Sequence, residues 1–328
     1  LVDGIDVASG LELTVALDSG ADPREISFAG PGKSDAELHK AVAAGILINI
    51  ESFREVGVLA AIQQQTGWTA RVAVRVNPDF ELKSSGMKMG GGPKQFGVDA
   101  EQVPELLAEI GKAGLGFEGF HLFAGSQNLR PESIVEAQRK CFDLALRLAE
   151  SAPGPVKFLN LGGGFGIPYF PGEQRLDLSS ISANLAAIQE DARQKMPQAE
   201  IVIELGRYFV GEAGIYVSRV VDRKVSRGHT YLVTNGGLHH HLSASGNFGQ
   251  VIRKNYPVTI GNRMDQPAAE SVSVVGPLCT PLDLLADKMN LAHAEPGDLV
   301  VIFQSGAYGA TASPRGFLSQ PDLLEVLV

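Results

Sequence analysis

Along the first two-thirds of the chain, short β-branched and apolar runs alternate with longer stretches whose apolar positions recur near every 3.6 residues. The runs at 4–7, 26–29, 46–50, 71–76, 117–123, 158–161 and 201–205 predict strands. The stretches at 11–19, 35–44, 52–67, 100–114, 131–151 and 179–195 predict helices. Start signals accompany several of them. Ser34 or Asp35 is placed to cap one helix, with Glu37 close behind, and Asp99 is placed to cap the helix that runs through Glu109. Strand followed by helix, repeated, reads as successive βα units and a parallel sheet. Seven such units fit before about residue 205. An open doubly wound sheet tolerates seven, whereas a closed (β/α)₈ barrel needs eight. A barrel therefore carries the expectation of one more strand ahead of Leu1.

After about residue 212 the pattern changes. Runs at 215–225, 230–234, 271–275 and 299–303 are strand-like, turn signals such as Glu295-Pro296-Gly297-Asp298 separate them, and amphipathic helices are scarce. This predicts a mostly antiparallel β-domain. The chain ends in the apolar run 323–328, and no internal repeat or low-complexity tract is evident.

Composition narrows the class. Of 328 residues 44% are hydrophobic, too many for a disordered chain, and no stretch reaches the roughly 18 consecutive apolar residues of a membrane span. With 37 acidic and 28 basic side chains the net charge is −9, which argues against a nucleic-acid partner. Two cysteines, Cys141 and Cys279, give no disulfide framework, so a reducing cytoplasm is the default compartment. Cys141 falls on a helical apolar face and reads as core. Glycine, at 38 residues, demands many sharp turns or close backbone approaches.

Catalytic groups of a barrel gather at the C-terminal ends of its strands, and the chain places unusual residues there. Asp6 and Ser9, with Glu12 behind them, end the first run. Arg75, Asn77 and Asp79 end the fourth, and His121 and Phe123 the fifth. The glycine loop 161–166 ends the sixth, and Glu204 with Arg207 ends the seventh. Gly162, Gly163 and Gly164 either cradle an anion on their backbone N–H groups or make a tight turn; the loop matches neither a P-loop nor a dinucleotide fingerprint. Glu204-Leu205-Gly206-Arg207 reads as a surface ion pair or as a carboxylate for a protonated ring nitrogen beside an anion-holding arginine. His239, His240 and His241 cannot all ligate one metal from a single strand, because alternate side chains point to opposite faces; a structural or substrate-contact role is expected, and no metal site. Cys279 stands in Gly276-Pro277-Leu278-Cys279-Thr280-Pro281, and an inert thiol is the bland reading. Tyr308, among small residues in Gly306-Ala307-Tyr308-Gly309-Ala310, implies close backbone approach.

Taken in order, GIDVAS at 4–9 with Glu12, FAGPGK at 28–33, VRVNPD at 74–79, GGGFG at 162–166, ELGRY at 204–208, GPLCTPLD at 276–283 and GAYG at 306–309 resemble the fold-type III pyridoxal-phosphate decarboxylases, the family of diaminopimelate, ornithine and arginine decarboxylases. KMGGGPKQFGVD at 88–99, GSQN at 125–128, GLHHH at 237–241 and GPLCTP are similar to a subgroup that includes a glutamyl-carrier-protein decarboxylase and decarboxylases associated with exosortase loci. The resemblance covers nearly the whole chain. It implies a cofactor-binding (β/α)₈ barrel over 1–212, an antiparallel β-domain over 213–328, pyridoxal 5'-phosphate as cofactor and a homodimer with shared active sites. It further implies that Glu204 pairs with the pyridine nitrogen, and that Gly162–Gly164, Ser126, Gly206, Arg207 and Tyr308 surround the phosphate. Asp6 and Glu12 would lie near the cofactor's attachment point, Arg75 would organise the ring's surroundings, and Cys279 would deliver a proton across the dimer interface. Thr280, His239 and His240 would face the substrate.

Three departures matter. The family's cofactor-attaching lysine belongs to the strand expected ahead of Leu1, and Lys33, on a later strand, is no substitute. The histidine that stacks on the ring is replaced by Phe123, an aromatic that can still stack, while His121 occupies another position. The acidic residue after the cysteine is Thr280, which argues against lysine, ornithine or diaminopimelate and for a substrate without a distal ammonium, such as an aminoacyl group on a carrier protein. A racemase on the same fold and a catalytically dead regulatory protein are the alternatives; the cysteine of GPLCTP argues against the first, and the glycine loop, Glu204 and Cys279 against the second.

Overall fold

The computed structural model describes the chain except residues 1, 82–86, 89, 249 and 251, and the side chains of 87 and 88. Leu1, and Met89 in the 88–99 segment, therefore lie outside the described residues. Contacts divide the chain into two compact units, 1–166 with 176–205, and 167–175 with 206–328.

The first unit is a parallel sheet flanked by helices. Its strands are β1 (Ile5–Val7), β2 (Ile26–Phe28), β3 (Leu47–Ile50), β4 (Arg71–Asn77), β5 (Gly116–Leu122), β6 (Phe158–Gly163) and β7 (Glu200–Glu204), hydrogen-bonded in that order. The two-residue strand Val98–Asp99 also pairs with β4, off that path. The helices are α1 (Gly10–Asp18), α2 (Asp35–Ala44), α3 (Phe53–Thr66), α4 (Val103–Ala113), α5 (Pro131–Ala149) and α6 (Ser179–Lys195). Each element lies within three residues of its sequence-based bounds, because the longer ones carry a period of 2 or 3.6 and turn or cap signals flank the shorter ones. The Ser34 cap is present as a full capping box, Ser34 Oγ accepting the Glu37 N–H and the Glu37 carboxylate accepting the Ser34 N–H. Gly45 closes the same helix at φ 72°, where a Cβ would be strained. The Asp99 cap is not made. Helix α4 begins after Gln102, without a side-chain cap, and Asp99 instead lies in its short strand, accepting the Asn77 Nδ2–H at 2.7 Å.

Outward-facing Val, Ile, Leu and Phe of the strands pack against the inner faces of the helices in one continuous core, Cys141 among them. Each such side chain contributes about 1.5–3 kcal/mol by leaving water.

The second unit is a six-stranded sheet. Its strands are β8 (Tyr216–Ser226), β9 (His229–Thr234), β10 (Val258–Ile260), β11 (Glu270–Val275), β12 (Leu284–Leu291) and β13 (Leu299–Ile302), in the order β10-β13-β8-β9-β11-β12. The pairs are antiparallel except β9 with β11. Strands β10 and β12 were not legible in the sequence. Three residues are too few to show a period, and β12 carries the polar run Asp287-Lys288 through its middle. The Glu295–Asp298 turn is as expected, the Asp298 N–H bonding Glu295 O at 3.0 Å with Gly297 at φ 101°. Among the described residues no helix is long and apolar enough to cross a membrane.

Candidate functional site

Each of β1 to β7 places a polar residue between two apolar ones: Ile5-Asp6-Val7, Ile26-Ser27-Phe28, Ile48-Asn49-Ile50, Val74-Arg75-Val76, Phe120-His121-Leu122, Leu159-Asn160-Leu161 and, at the end of β7, Ile203-Glu204-Leu205. On β1 to β6 alternation sends the apolar flanks toward the helices and the polar residue to the other face, where Glu204 of β7 meets His121 and Asn160. Register aligns them. Asp6 is level with Ser27, Arg75 with His121, and His121 with Asn160. Two-residue offsets, Ser27 against Leu47 and Asn49 against Ala73, are the stagger that tilted barrel strands require. The sheet curls far enough that Asp6, on the first strand, and Glu204, on the last, repel each other electrostatically.

Glu204 is the centre of this interior. Its Oε1 accepts the Asn160 Nδ2–H at 2.7 Å and lies 2.9 Å from His121 Nε2. Asn160 Oδ1 in turn accepts the Gly162 N–H at 2.8 Å. Burial opposes the charge of Glu204, but His121 and the hydrogen bonds outweigh it and hold its pKa below the ordinary value. His121 is fully buried, which disfavours its charged form, yet the carboxylates of Glu204 and Asp6 raise its pKa overall. Asp6 reaches solvent but stands in crowded protein surroundings. That desolvation, with repulsion from Glu204 second, raises its carboxyl pKa, against a 2.6 Å hydrogen bond from Ser27 Oγ–H. The ion-pair reading of Glu204 with Arg207 is thus corrected: the carboxylate turns Oε1 to His121 and Asn160 instead.

Arg75 is held by Glu51, a residue the sequence reading missed. Glu51 accepts Arg75 Nη1–H at 2.9 Å, Gly30 N–H at 2.5 Å and Gly97 N–H at 3.0 Å, tying three strand ends together. Arg75 also lies 5.0 Å from the Phe96 ring centre. Lys33 is buried against Glu55 at 3.0 Å and donates to Gly30 O, a structural ion pair. The Glu12 carboxylate accepts the Ala8 N–H at 2.6 Å, so it braces the start of α1.

The glycine loop has a protein-only reason for its composition. A Cβ on Gly163 would fall 1.6 Å from Glu204 O, one on Gly164 1.9 Å from Gly125 O, and one on Gly162 3.0 Å from the Phe123 ring. Gly162 and Gly164 also have φ of 70° and 73°. The loop is wedged between β7 and the 122–126 segment, where Phe123 and Ser126 stand beside it. The tight-turn reading therefore accounts for all three glycines.

In the second unit, Arg207 stands between two tyrosine rings, 5.5 Å from Tyr169 and 4.8 Å from Tyr308, and donates Nη1–H to Tyr169 Oη at 2.7 Å. Its Nε is buried without a partner among the described residues. Gly206 is exposed and opens the short helix Gly206–Val210. Tyr308 takes φ 61°, a conformation costly for a non-glycine residue, and the close approach expected around it is Gly306 against Val210 O. His239, His240 and His241 lie in a turn and not on a strand, which removes the alternate-face premise. His239 and His240 have ring centres 3.9 Å apart, His240 bridges Tyr216 Oη and Pro321 O, and His241 contacts Ser305 Oγ at 2.9 Å. Among the described residues no His, Cys, Asp and Glu cluster has metal-site geometry. Cys279 is exposed, and the Thr280 hydroxyl accepts the Leu282 N–H at 3.3 Å.

Residues 3–211 match the family model described as the pyridoxal-dependent decarboxylase, pyridoxal binding domain. The chain is 38% identical over 330 residues to L-glutamyl-[BtrI acyl-carrier protein] decarboxylase of Niallia circulans, covering 99% of this chain and 77% of that one. It is 31% identical to 2-[(L-alanin-3-ylcarbamoyl)methyl]-2-hydroxybutanedioate decarboxylase of Staphylococcus aureus, covering 98% and 80%. In structure it is similar to diaminopimelate decarboxylase of Helicobacter pylori complexed with L-lysine, with TM-score 0.84, 27% identity, and coverage of 98% of this chain and 77% of that one.

Proposed function

The chain belongs to the pyridoxal-dependent decarboxylases, whose cofactor is pyridoxal 5'-phosphate, and on that premise we propose that it removes the α-carboxylate from an amino-acid unit carried on an acyl-carrier protein. The relatives are decarboxylases, so the racemase alternative is set aside. The observation that carries the finer reading is Thr280, a neutral residue directly after an exposed Cys279. A carboxylate at that place would pair with a distal ammonium; a hydroxyl leaves such a group unpaired. Because the α-carboxylate is what leaves, the carrier linkage must run through the side-chain acyl group.

The residues present fit the cofactor. Glu204 keeps its charge inside the barrel, as a partner for a protonated pyridine nitrogen must. Arg207 Nε, His121 Nδ1 and the Asn49 amide are buried polar atoms without partners among the described residues. When bound, the cofactor supplies an electron sink for the pair released at Cα. Glu204 would hold the proton at the ring nitrogen, with His121 and Asn160 fixing its orientation. Gly162, Gly163 and Gly164, with Ser126, Gly206, Arg207 and Tyr308, would hold the phosphate, and Phe123 would cover the ring face. Asp6, Glu12 and Arg75 would line the cofactor's surroundings, and His239 and His240 would meet the substrate beside Thr280. The Cα–carboxylate bond breaks, carbon dioxide departs, and the Cys279 thiol gives its proton to Cα, to be reprotonated from solvent. This reading takes 1–212 and 213–328 as the two domains and a homodimer in the cytoplasm as the working enzyme.

Carbon dioxide release from glutamyl carrier protein, free glutamate, diaminopimelate, lysine and ornithine tests it. The carrier-bound substrate is expected to exceed each free amino acid by at least about 10-fold in kcat/KM, a difference of about 1.4 kcal/mol. Efficient turnover of diaminopimelate, lysine or ornithine overturns it.

A further inference from the structure

We propose that Asp283 is a positioning residue that fixes the place of Cys279 by locking the 276–283 loop to the 237–241 turn. The inference rests on Cys279 acting as the proton donor. The loop joins β11 to β12 and is closed at its neck, where the Gly276 N–H donates to Asp283 O at 3.0 Å. Asp283 is 3% exposed, and its two carboxylate oxygens serve different segments. Oδ2 accepts the Leu278 N–H at 2.9 Å, inside the loop and one residue before Cys279. Oδ1 accepts the Leu238 N–H at 2.6 Å, in the turn 45 residues away.

The fit around the carboxylate is built in on both sides. A Cβ on Gly237 would fall 2.3 Å from Oδ1, and one on Gly276 2.3 Å from Oδ2 and 2.5 Å from the Gly237 Cα. Only glycine at both places lets the two backbones close on the carboxylate. The turn passes the constraint on, since the His240 and His241 N–H groups both donate to Gly237 O, at 2.9 and 3.0 Å. His241 Nε2 then meets Ser305 Oγ at 2.9 Å, at the start of the loop that carries Tyr308. The turn at 237–241, the loop at 276–283 and Ser305, just before the motif at 306–309, are thereby joined by hydrogen bonds. A buried carboxylate is costly unless fully hydrogen-bonded. Here its charge-assisted bonds go to backbone N–H groups of two segments, so what they secure is relative position.

Cys141 is buried, so Cys279 is the thiol that a disulfide reagent such as Ellman's reagent reaches in the folded protein. The holoenzyme of Asp283→Ala is compared with wild type, Gly237→Ala and Cys279→Ser in labelling rate, kcat and KM. Release of the loop is expected to change the labelling rate at least about 5-fold and to lower kcat by about 10²-fold with KM within about 3-fold, the cost of a misplacement near 1 Å. Gly237→Ala, which displaces the carboxylate without removing it, is expected to match. Asp283→Asn, which keeps one acceptor, is expected to recover part of the loss and replaces the alanine variant if that fails to fold. Wild-type labelling and kcat in folded Asp283→Ala and Gly237→Ala overturn the inference. Full activity in Cys279→Ser instead overturns the proton-donor reading, and labelling still reports the clamp independently.

Discussion

In the barrel unit the polar side chains suited to chemistry stand on strands, whereas in the β unit they stand on the connections between strands. Asp6, Arg75, His121, Asn160 and Glu204 face one interior because each is flanked by apolar residues that must face the helices. Cys279, Thr280, His239 and Tyr308 have no such rule. Their places come from particular hydrogen bonds, above all those of Asp283. A periodic element positions a side chain through many weak apolar contacts, a loop through a few strong polar ones. The first should tolerate loss of one partner better in position than in charge, the second the reverse.

The largest expected effect is on the barrel side. Glu204→Gln removes the carboxylate while keeping its shape and its bond to Asn160, and should lower carbon dioxide release by about 10²–10⁴-fold, activity falling far more than melting temperature. A large loss of stability at equal activity would break the comparison. Next is Arg75→Ala, which takes the guanidinium from the buried Glu51 carboxylate and leaves it only the Gly30 and Gly97 N–H groups, at a cost of up to about 3 kcal/mol, read by chemical denaturation. Lys33→Met should be similarly destabilising through Glu55, yet leave turnover per folded molecule unaltered; Lys33→Met with Glu55→Leu should recover much of the stability. Loss of turnover in the double variant would place Lys33 in the chemistry.

A smaller effect is on pH dependence. His121 and Asp6 both have pKa values raised by folding, from 6.5 and 3.8. Their protonated forms are therefore favoured in the native state. The stability they contribute is complete below those unfolded values and is lost as pH rises through the higher folded ones. Melting temperature should fall as the medium passes from mildly acidic to alkaline, and Asp6→Asn should flatten that slope. Glu204, depressed by folding, contributes in the opposite sense and loses its share only on acidification. The smallest effect is in the β unit. Thr280→Glu should raise turnover of lysine or ornithine by about 5-fold, since one surface-accessible ion pair is worth about 1 kcal/mol. No gain would mean that substrate does not meet this loop.

Much of the barrel was legible in the sequence, because α2, α5 and α6 carry apolar residues at helical spacing on the face that they bury. The candidate site was readable in part. Glu204 and Arg75 stood out as charges inside apolar runs, and the same triplet pattern pointed to Ser27, Asn49 and Asn160, which the reading passed over. Glu51 left no signal, since an acidic residue at a strand end is ordinary until Gly30, Arg75 and Gly97 are seen converging on it. Asp99 looked like a cap because its spacing suited one, and it was claimed by Asn77.

The sequence by itself determined which residues face the helices and which face the interior of the barrel, because period and polarity are local properties of the chain. Only the tertiary structure decided that Glu204 answers to His121 and Asn160, and that the Cys279 loop and the histidine turn are held by one carboxylate. Those partners lie 44, 45 and 83 residues apart, and a hydrogen bond depends on a distance in space that no local pattern encodes.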